Sequence, residues 1–212
     1  MNPLPWWEPE LLAAVLQQHY GHQGLVWLDG DGSTPRQPLD PHLDPALLVV
    51  FPANGCNMAC TYCLNDQGLM DGGAKHGKMS VETAHAVIAW LADWKTRTKQ
   101  PGLRVWLVGG EPTLSEDACA TLIEGCLALN DTEGPRIEVK LSSNGYKVSE
   151  RILDAMAKYP KRAIAGISVD GPRQANDRYR VDHRGRGTYD RTMAYVERVR
   201  AEVRGEGRLG RD

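Results

Sequence analysis

The sequence predicts an α/β protein built on parallel strands, and two observations lead to that class. From Ala46 onward, four short apolar runs of strand length alternate with longer segments of helical period. Such alternation is typical of parallel sheets with right-handed helical crossovers. The unusual residues of the chain also fall just after the apolar runs, at the carboxyl ends of the predicted strands, where sheets of this kind bind ligands.

The four strands are predicted from their aliphatic content and from the turn residues that end them. The runs are ALLVVF, LRVWLV, RIEVKL and RAIAGISV, and they lead into a cysteine loop, GGEP, SSNGY and DGP. An Arg-rich loop is expected between the fourth strand and the last helix.

The four helices are predicted from apolar stripes at helical spacing. Ser80 is a candidate N-cap of the first helix. The second stripe contains Cys119 and Cys126, so we expect both to be buried core residues rather than ligands. The stripes are Ala84, Val87, Ile88 and Leu91, then Cys119, Leu122, Ile123 and Cys126, then Ile152, Leu153 and Met156, and finally Thr192, Val196, Val199 and Val203.

The chain divides into three predicted parts. Residues 1–45 form an N-terminal extension, with a helix over residues 9–20, a following strand and a Pro-rich linker, and we expect it to pack on the flank of the core. Residues 46–204 form the core, and residues 205–212 are predicted to be a disordered tail.

Composition excludes several classes of protein. At 212 residues, with 42% hydrophobic and 25% charged residues, the chain is a globular domain with a buried core. Its formal net charge of −2 predicts no nucleic-acid partner. The Arg-rich stretch from Arg173 onward is interpreted as a solvated, salt-bridged helix rather than a nucleic-acid surface. Without a secretory signal or a long apolar run, the sequence predicts a cytoplasmic protein with no membrane contact.

Three of the five cysteines are packed into the stretch CNMACTYC, residues 56–63. In a reducing compartment they indicate metal binding or catalysis rather than disulfides. A structural zinc site usually has four ligands, and a redox pair would use only Cys60 and Cys63. Three thiolates could hold a four-iron cluster and leave one iron open for another ligand.

This spacing, together with GGEP at the end of the second strand, resembles the radical S-adenosylmethionine (radical SAM) enzymes. The resemblance implies a partial (β/α) barrel in which Cys56, Cys60 and Cys63 bind a [4Fe-4S] cluster. It further implies that the open iron binds S-adenosylmethionine, which is reductively cleaved to a 5′-deoxyadenosyl radical. An external electron donor of the flavodoxin or ferredoxin type is then expected.

The resemblance also implies the residues that contact S-adenosylmethionine. The two glycines of GGEP are expected to let the backbone approach a ligand, and Glu111 to accept hydrogen bonds from its ammonium group. Polar residues at the third and fourth strand ends are expected at the ribose and methionyl groups, although Asn-Gly and Asp-Gly-Pro are equally turn formers. Arg180 is a candidate for the ligand carboxylate, or else a surface ion pair. The set is Tyr62, Gly109, Gly110, Glu111, Ser143, Asn144, Ser168, Asp170 and Arg180.

The segment after SVDGP resembles one branch of the family, the peptide- and protein-modifying maturases, which include sulfatase-maturating enzymes of the SPASM type. Asn176 stands where that branch commonly has His. The family barrel has about six units, whereas this sequence shows four and no cysteine after Cys126. We therefore expect a C-terminally truncated relative, and a partner chain could complete the barrel. A small-molecule radical SAM synthase and a noncatalytic iron-sulfur or zinc module remain alternatives.

Overall fold

A five-stranded parallel sheet with helices packed on one face forms the fold. The computed structural model describes residues 24–25, 46–63, 77–147 and 149–203. The strands follow one another in chain order across the sheet, and every neighbouring pair is parallel. The predicted α/β class with parallel strands is confirmed. The helix predicted over residues 9–20, the Pro-rich linker and the tail lie outside the described residues.

The elements follow the predicted rhythm with one addition, a helix between the last strand and the last predicted helix. The strands are β1 (Gly24–Leu25), β2 (Leu47–Ala53), β3 (Gly102–Gly109), β4 (Arg136–Ser143) and β5 (Ala163–Ile167). The helices are α1 (Val81–Arg97), α2 (Glu116–Ala128), α3 (Glu150–Ala157), α4 (Arg173–Tyr179) and α5 (Tyr189–Glu202), with short 3-10 turns at Pro112–Leu114 and Leu129–Asp131.

The core lies between the helices and one face of the sheet. Alternate residues of the strands are fully buried there, because successive side chains of a strand point to opposite faces. The helices contribute the stripes expected from the sequence, and both Cys119 and Cys126 are 0% exposed. Burial raises the pKa of the Cys126 thiol to about 12, which suits an inert core residue.

Local sequence explains where the helices begin. The Ser80 hydroxyl accepts a hydrogen bond from the Thr83 amide at 3.2 Å, as expected for the N-cap of α1. Ser149 caps α3 in the same way, through the Ile152 amide. Ser115, which precedes α2, does not cap it; its hydroxyl instead donates to the Met79 carbonyl and ties the start of α2 to the segment before α1.

Two features differ from the sequence-based expectation. The Arg-rich segment predicted as a loop contains helix α4, whose only buried residue is Asn176, so no apolar stripe marked it. In α5, Tyr195 is buried along with Thr192 and Val199, whereas Val196 is only half-buried. Strand β1 lies within the strand predicted after the first helix, and it pairs with Leu48 and Val49 of β2.

Within the described part of the chain, no helix combines the length and apolarity needed to cross a membrane.

Candidate functional site

The three clustered cysteines lie on a loop that leaves the carboxyl end of β2. Cys56, Cys60 and Cys63 are all half-buried, in contrast to the two fully buried cysteines of α2. Burial raises the pKa of Cys56 to about 11 and also raises the pKa of Cys60. The Arg180 guanidinium opposes the rise at Cys60. Metal binding to these thiols would therefore release protons.

The cysteine loop is held on one side by the GGEP segment at the end of β3. The Gly110 amide donates to the Ala53 carbonyl at 3.0 Å, and the Glu111 amide donates to the Gly55 carbonyl at 2.8 Å. A Cβ on Gly110 would lie 2.3 Å from the Gly55 oxygen. Gly109 has a φ of +143°, and a Cβ there would lie 2.5 Å from the Ala53 oxygen. The glycines thus let GGEP approach the cysteine loop; their expected approach to a ligand stays a prediction.

The loop is held on the other side by the segment after α4. The Ala59 amide donates to the Val181 carbonyl at 2.8 Å, and the Thr61 amide donates to the Tyr179 carbonyl at 2.9 Å. The Nε2–H of His183 donates to the Cys56 carbonyl at 3.1 Å. The cysteine loop is therefore fixed by backbone contacts to two segments that are distant in sequence.

Glu111 is the centre of a buried polar cluster at the strand ends. Glu111 is only 1% exposed. One of its carboxylate oxygens accepts from the amide and hydroxyl of Thr113 and from the Ser143 hydroxyl, the last at 2.9 Å. The other oxygen accepts from the Asn144 amide at 2.7 Å. Burial raises the pKa of Glu111, and these hydrogen bonds oppose the rise. One oxygen thus has three donors and the other only one, so the second oxygen can accept a further hydrogen bond.

Asn144 connects this cluster to the cysteines. Its side-chain amide donates to the Cys56 sulfur at 3.4 Å and to the Asn57 side-chain oxygen at 2.8 Å. Its backbone carbonyl accepts from the Thr192 hydroxyl of α5. Asn144 therefore positions the first cysteine of the motif relative to the end of β4.

A second cluster joins Tyr62 to the fourth predicted strand end. The Tyr62 hydroxyl donates to the Asp170 carboxylate at 2.5 Å and accepts from the Arg180 guanidinium at 2.8 Å. Arg180 also lies 3.8 Å from the Asp170 carboxylate. The Arg180 side chain is only 8% exposed, so it is not a surface arginine. Among the described residues, its buried Nε finds no acceptor.

The remaining predicted residue, Ser168, is exposed between the two clusters. Its amide donates to the Ser143 carbonyl at 3.0 Å. The structure thus brings Glu111, Ser143 and Asn144 together beside Cys56, and places Tyr62, Asp170 and Arg180 in a separate group beside Cys60.

Asp182 is a structural residue of the site that the sequence reasoning did not single out. It is 5% exposed and accepts from the amides of Arg184 and Arg186, from the Arg186 side chain and from the Tyr146 hydroxyl. Met58 of the cysteine loop pairs with it as an antiparallel bridge. The turn DHRGRG is the signal that could have revealed it, because Asp side chains commonly accept from the backbone of such turns.

Replacing Asp182 with Asn is expected to lower the melting temperature at pH 7. Hydrogen bonds from Arg186, through its backbone and side chain, hold the pKa of Asp182 well below its ordinary value. A carboxyl with a lowered pKa stabilises the fold above its unfolded pKa of about 4, and that contribution is lost as pH falls further. Thermal melts of both proteins should therefore differ at pH 7 and converge in acid. A gap that persists unchanged below about pH 3 would rule out this ionic origin.

Three thiols on one loop are a donor set that fits an iron-sulfur cluster. In the described part of the chain, no three His, Cys, Asp or Glu side chains lie together as ligands of one ion. A cluster does not require that, because each thiolate binds a different iron. Beside Cys56 lies a small cavity of about 80 Å³, lined by Ala53, Gly55, Cys56, Gly77, Lys78 and Leu114.

A parallel α/β fold with a three-cysteine loop at the first core strand and GGEP at the next defines a class of protein. Residues 50–206, more than half of the chain, match the family model described as the Radical SAM superfamily, and the chain belongs to that superfamily. Membership implies a [4Fe-4S] cluster and S-adenosylmethionine as cofactors.

Two of the similar proteins have different functions. The chain is 36% identical over 99 residues to a GTP 3′,8-cyclase of Aeromonas hydrophila, covering 45% of this chain and 26% of the relative. It is 23% identical over 160 residues to a cysteine-type anaerobic sulfatase-maturating enzyme of Clostridium novyi, covering 72% of this chain and 39% of the relative. The chain therefore spans less than half the length of either relative.

Solved structures show the same fold. The chain is similar to native anSMEcpe with bound AdoMet and Cp18Cys peptide, with a TM-score of 0.60 and 24% identity, over 74% of this chain and 41% of that one. It is also similar to Streptococcus suis SuiB bound to the precursor peptide SuiA, with a TM-score of 0.55 and 19% identity, over 76% of this chain and 31% of that one. The fold thus resembles that of the peptide-modifying branch.

Proposed function

We propose that this chain is a radical SAM enzyme, or its cofactor-binding part, that acts on a peptide or protein side chain. The observation that carries the proposal is the double anchoring of the cysteine loop, with Cys56, Cys60 and Cys63 left half-buried between GGEP and the segment after α4. In this proposal the three thiolates hold the cluster. When bound, the cluster and S-adenosylmethionine supply a 5′-deoxyadenosyl radical that abstracts a substrate hydrogen.

The two polar clusters are proposed to bind S-adenosylmethionine. Arg180 is the candidate for the carboxylate, because its guanidinium is buried beside the cysteine loop and has an unused Nε. Binding there would replace part of its contact with Asp170 and Tyr62, freeing Asp170 for a ligand hydroxyl. Gly109, Gly110, Glu111, Ser143, Asn144 and Ser168 are proposed to contact the remaining groups of S-adenosylmethionine.

The peptide assignment is supported by the similarity to sulfatase-maturating enzymes and to SuiB. We also propose an external electron donor of the flavodoxin or ferredoxin type, a cytoplasmic location, and a partner chain that pairs with the outer edge of β5. A strand edge of this kind offers unpaired backbone groups to another chain.

A second candidate is a small-molecule reaction. The 36% identity to a GTP 3′,8-cyclase supports it, although the match covers less than half of this chain. A noncatalytic cluster-binding or zinc-binding module is the third reading, in which the same cysteines bind metal without cleaving the cofactor.

Anaerobic reconstitution tests these alternatives directly. We expect about four iron and four sulfide per chain, and formation of 5′-deoxyadenosine after reduction with dithionite in the presence of S-adenosylmethionine. A zinc-containing, iron-free protein would refute the proposal, and a cluster without cofactor cleavage would leave the noncatalytic module. Stimulation of cleavage by GTP and not by peptides would favour the small-molecule reaction.

A further inference from the structure

The face of the sheet opposite the helices carries a row of residues at one level. The strand register aligns Val49, Trp106, Lys140 and Ile164 side by side on this face, which we call the inner face. Its neighbours toward the carboxyl ends include Ser142, which is paired with Gly166. The inner face therefore presents an aromatic ring, an ammonium group and a hydroxyl next to one another.

Lys140 leans along this face toward the cysteine loop. A Cβ on Gly166 would lie 3.3 Å from the Lys140 Cε, so the lysine stem reaches the level of the next inward-facing residue, Ser142. The absence of a side chain at Gly166 leaves room for that stem. Its ammonium lies 4.9 Å from the centre of the Trp106 ring, and the Trp106 ring is fixed by a hydrogen bond from its Nε1 to the Ser142 hydroxyl at 2.8 Å.

Within the described residues, no acid neutralises the charge of Lys140. Glu138 lies on the same face, but its carboxylate accepts from Arg104 at 2.8 and 3.2 Å. Lys140 instead makes a cation–π contact with Trp106. Arg104 is paired with Glu138, and Arg136 is exposed at the start of β4, four residues before Lys140. Among the charged residues of β2 to β5 on this face, the half-buried Lys140 is therefore the one nearest the carboxyl ends of the strands.

The position of Lys140 suits contact with a substrate that reacts at the cysteine loop. Lys140 precedes Ser143 by three residues, about 10 Å along the strand. Its side chain extends toward the carboxyl end of the strand, which brings the ammonium closer to the level of Ser143. Asn144, one residue further, already donates to the Cys56 sulfur. A group held by Lys140 would therefore lie below the proposed cofactor, toward the middle of the sheet.

We infer that Lys140, seated on Trp106, binds a carboxylate of the substrate, namely a Glu or Asp side chain of a peptide. This inference rests on the proposed function. A single cation at this level of the face suits a single carboxylate, whereas a triphosphate would call for several cations together. The Lys140 ammonium would donate a charge-assisted hydrogen bond to the carboxylate, and the Ser142 hydroxyl offers a second donor.

The test compares two short peptides on the reconstituted chain. Acetyl-Gly-Glu-Gly-amide and acetyl-Gly-Gln-Gly-amide differ only in the side-chain charge, and their dissociation constants are measured by calorimetry. We expect the Glu peptide to bind about tenfold more tightly. Lys140→Gln should abolish the preference and Lys140→Arg should retain part of it. Equal binding of both peptides to the parent protein, or a preference that survives in Lys140→Gln, would overturn the inference.

Controls separate this inference from general electrostatics and from the proposed function. Lys147→Gln removes an exposed charge just past the end of β4 and should keep the preference for Glu. Lys140→Gln should bind iron, sulfide and S-adenosylmethionine as the parent does. A parallel loss of S-adenosylmethionine affinity would assign Lys140 to the cofactor instead, and a Lys140-dependent affinity for GTP alone would assign it to a nucleotide. A preserved Glu preference in a chain that cleaves no cofactor would refute the proposed function and leave this site standing.

Discussion

Replacing Cys56, Cys60 or Cys63 singly with Ala is expected to reduce bound iron from about four per chain nearly to zero. Each thiolate binds a different iron of the proposed cluster, so two remaining ligands would not retain it. Formation of 5′-deoxyadenosine should fall to the background of the cluster-free protein. Iron and sulfide analysis after anaerobic reconstitution, with the absorbance of the cluster, measures the effect.

The matched control for these variants is Cys126→Ala. Cys126 lies on α2, faces the hydrophobic core and is 0% exposed. Its substitution should lower the free energy of unfolding without changing the iron content. Cys119→Ala should behave similarly, although the Cys119 thiol donates to the Pro112 carbonyl beside Glu111. Iron that is lost from Cys126→Ala but kept by Cys60→Ala would show that the ligands have been assigned to the wrong cysteines.

Strands and long helices could be predicted from the sequence because the burial of one face requires apolar residues at regular spacing. Strands β2 to β5 and helices α1 to α3 each bury one face against the same core, so their apolar residues recur at the spacing of the element. Helix α4 has no such apolar pattern, because its only buried residue is Asn176. It is held by polar contacts around Asn176, including the Asp170 amide that donates to its side-chain oxygen.

The candidate site was predictable in its residue types but not in its contacts. The sequence identifies Cys56 and Glu111 because each follows a strand, and parallel strands end at one edge of the sheet. It does not show that Glu111 turns toward Ser143 and Asn144, because that contact joins residues more than thirty positions apart. The bridge between Met58 and Asp182 is likewise invisible, since only the folded chain brings these segments together.

The close approach of GGEP to the cysteine loop predicts a large effect for Gly110→Ala. An added Cβ would lie 2.3 Å from the Gly55 oxygen and 2.4 Å from the Asn54 oxygen. Both are backbone atoms, so the loop must move rather than a side chain. We expect the free energy of unfolding to fall by about 2–3 kcal/mol, together with weaker retention of the cluster. Urea denaturation and iron analysis of the same preparations measure the two effects.

Gly125→Ala is the matched control, because a Cβ there would also lie 2.3 Å from a neighbour, the Cδ1 atom of Ile88. That atom is the end of a flexible side chain, and Ala is a better helix former than Gly by about 1 kcal/mol. The free energy of unfolding of Gly125→Ala should therefore change little, and its iron content should match that of the parent. If Gly110→Ala were equally harmless, the cysteine loop would not depend on close backbone contact with GGEP, and another constraint would have to fix Cys56 at the end of β2.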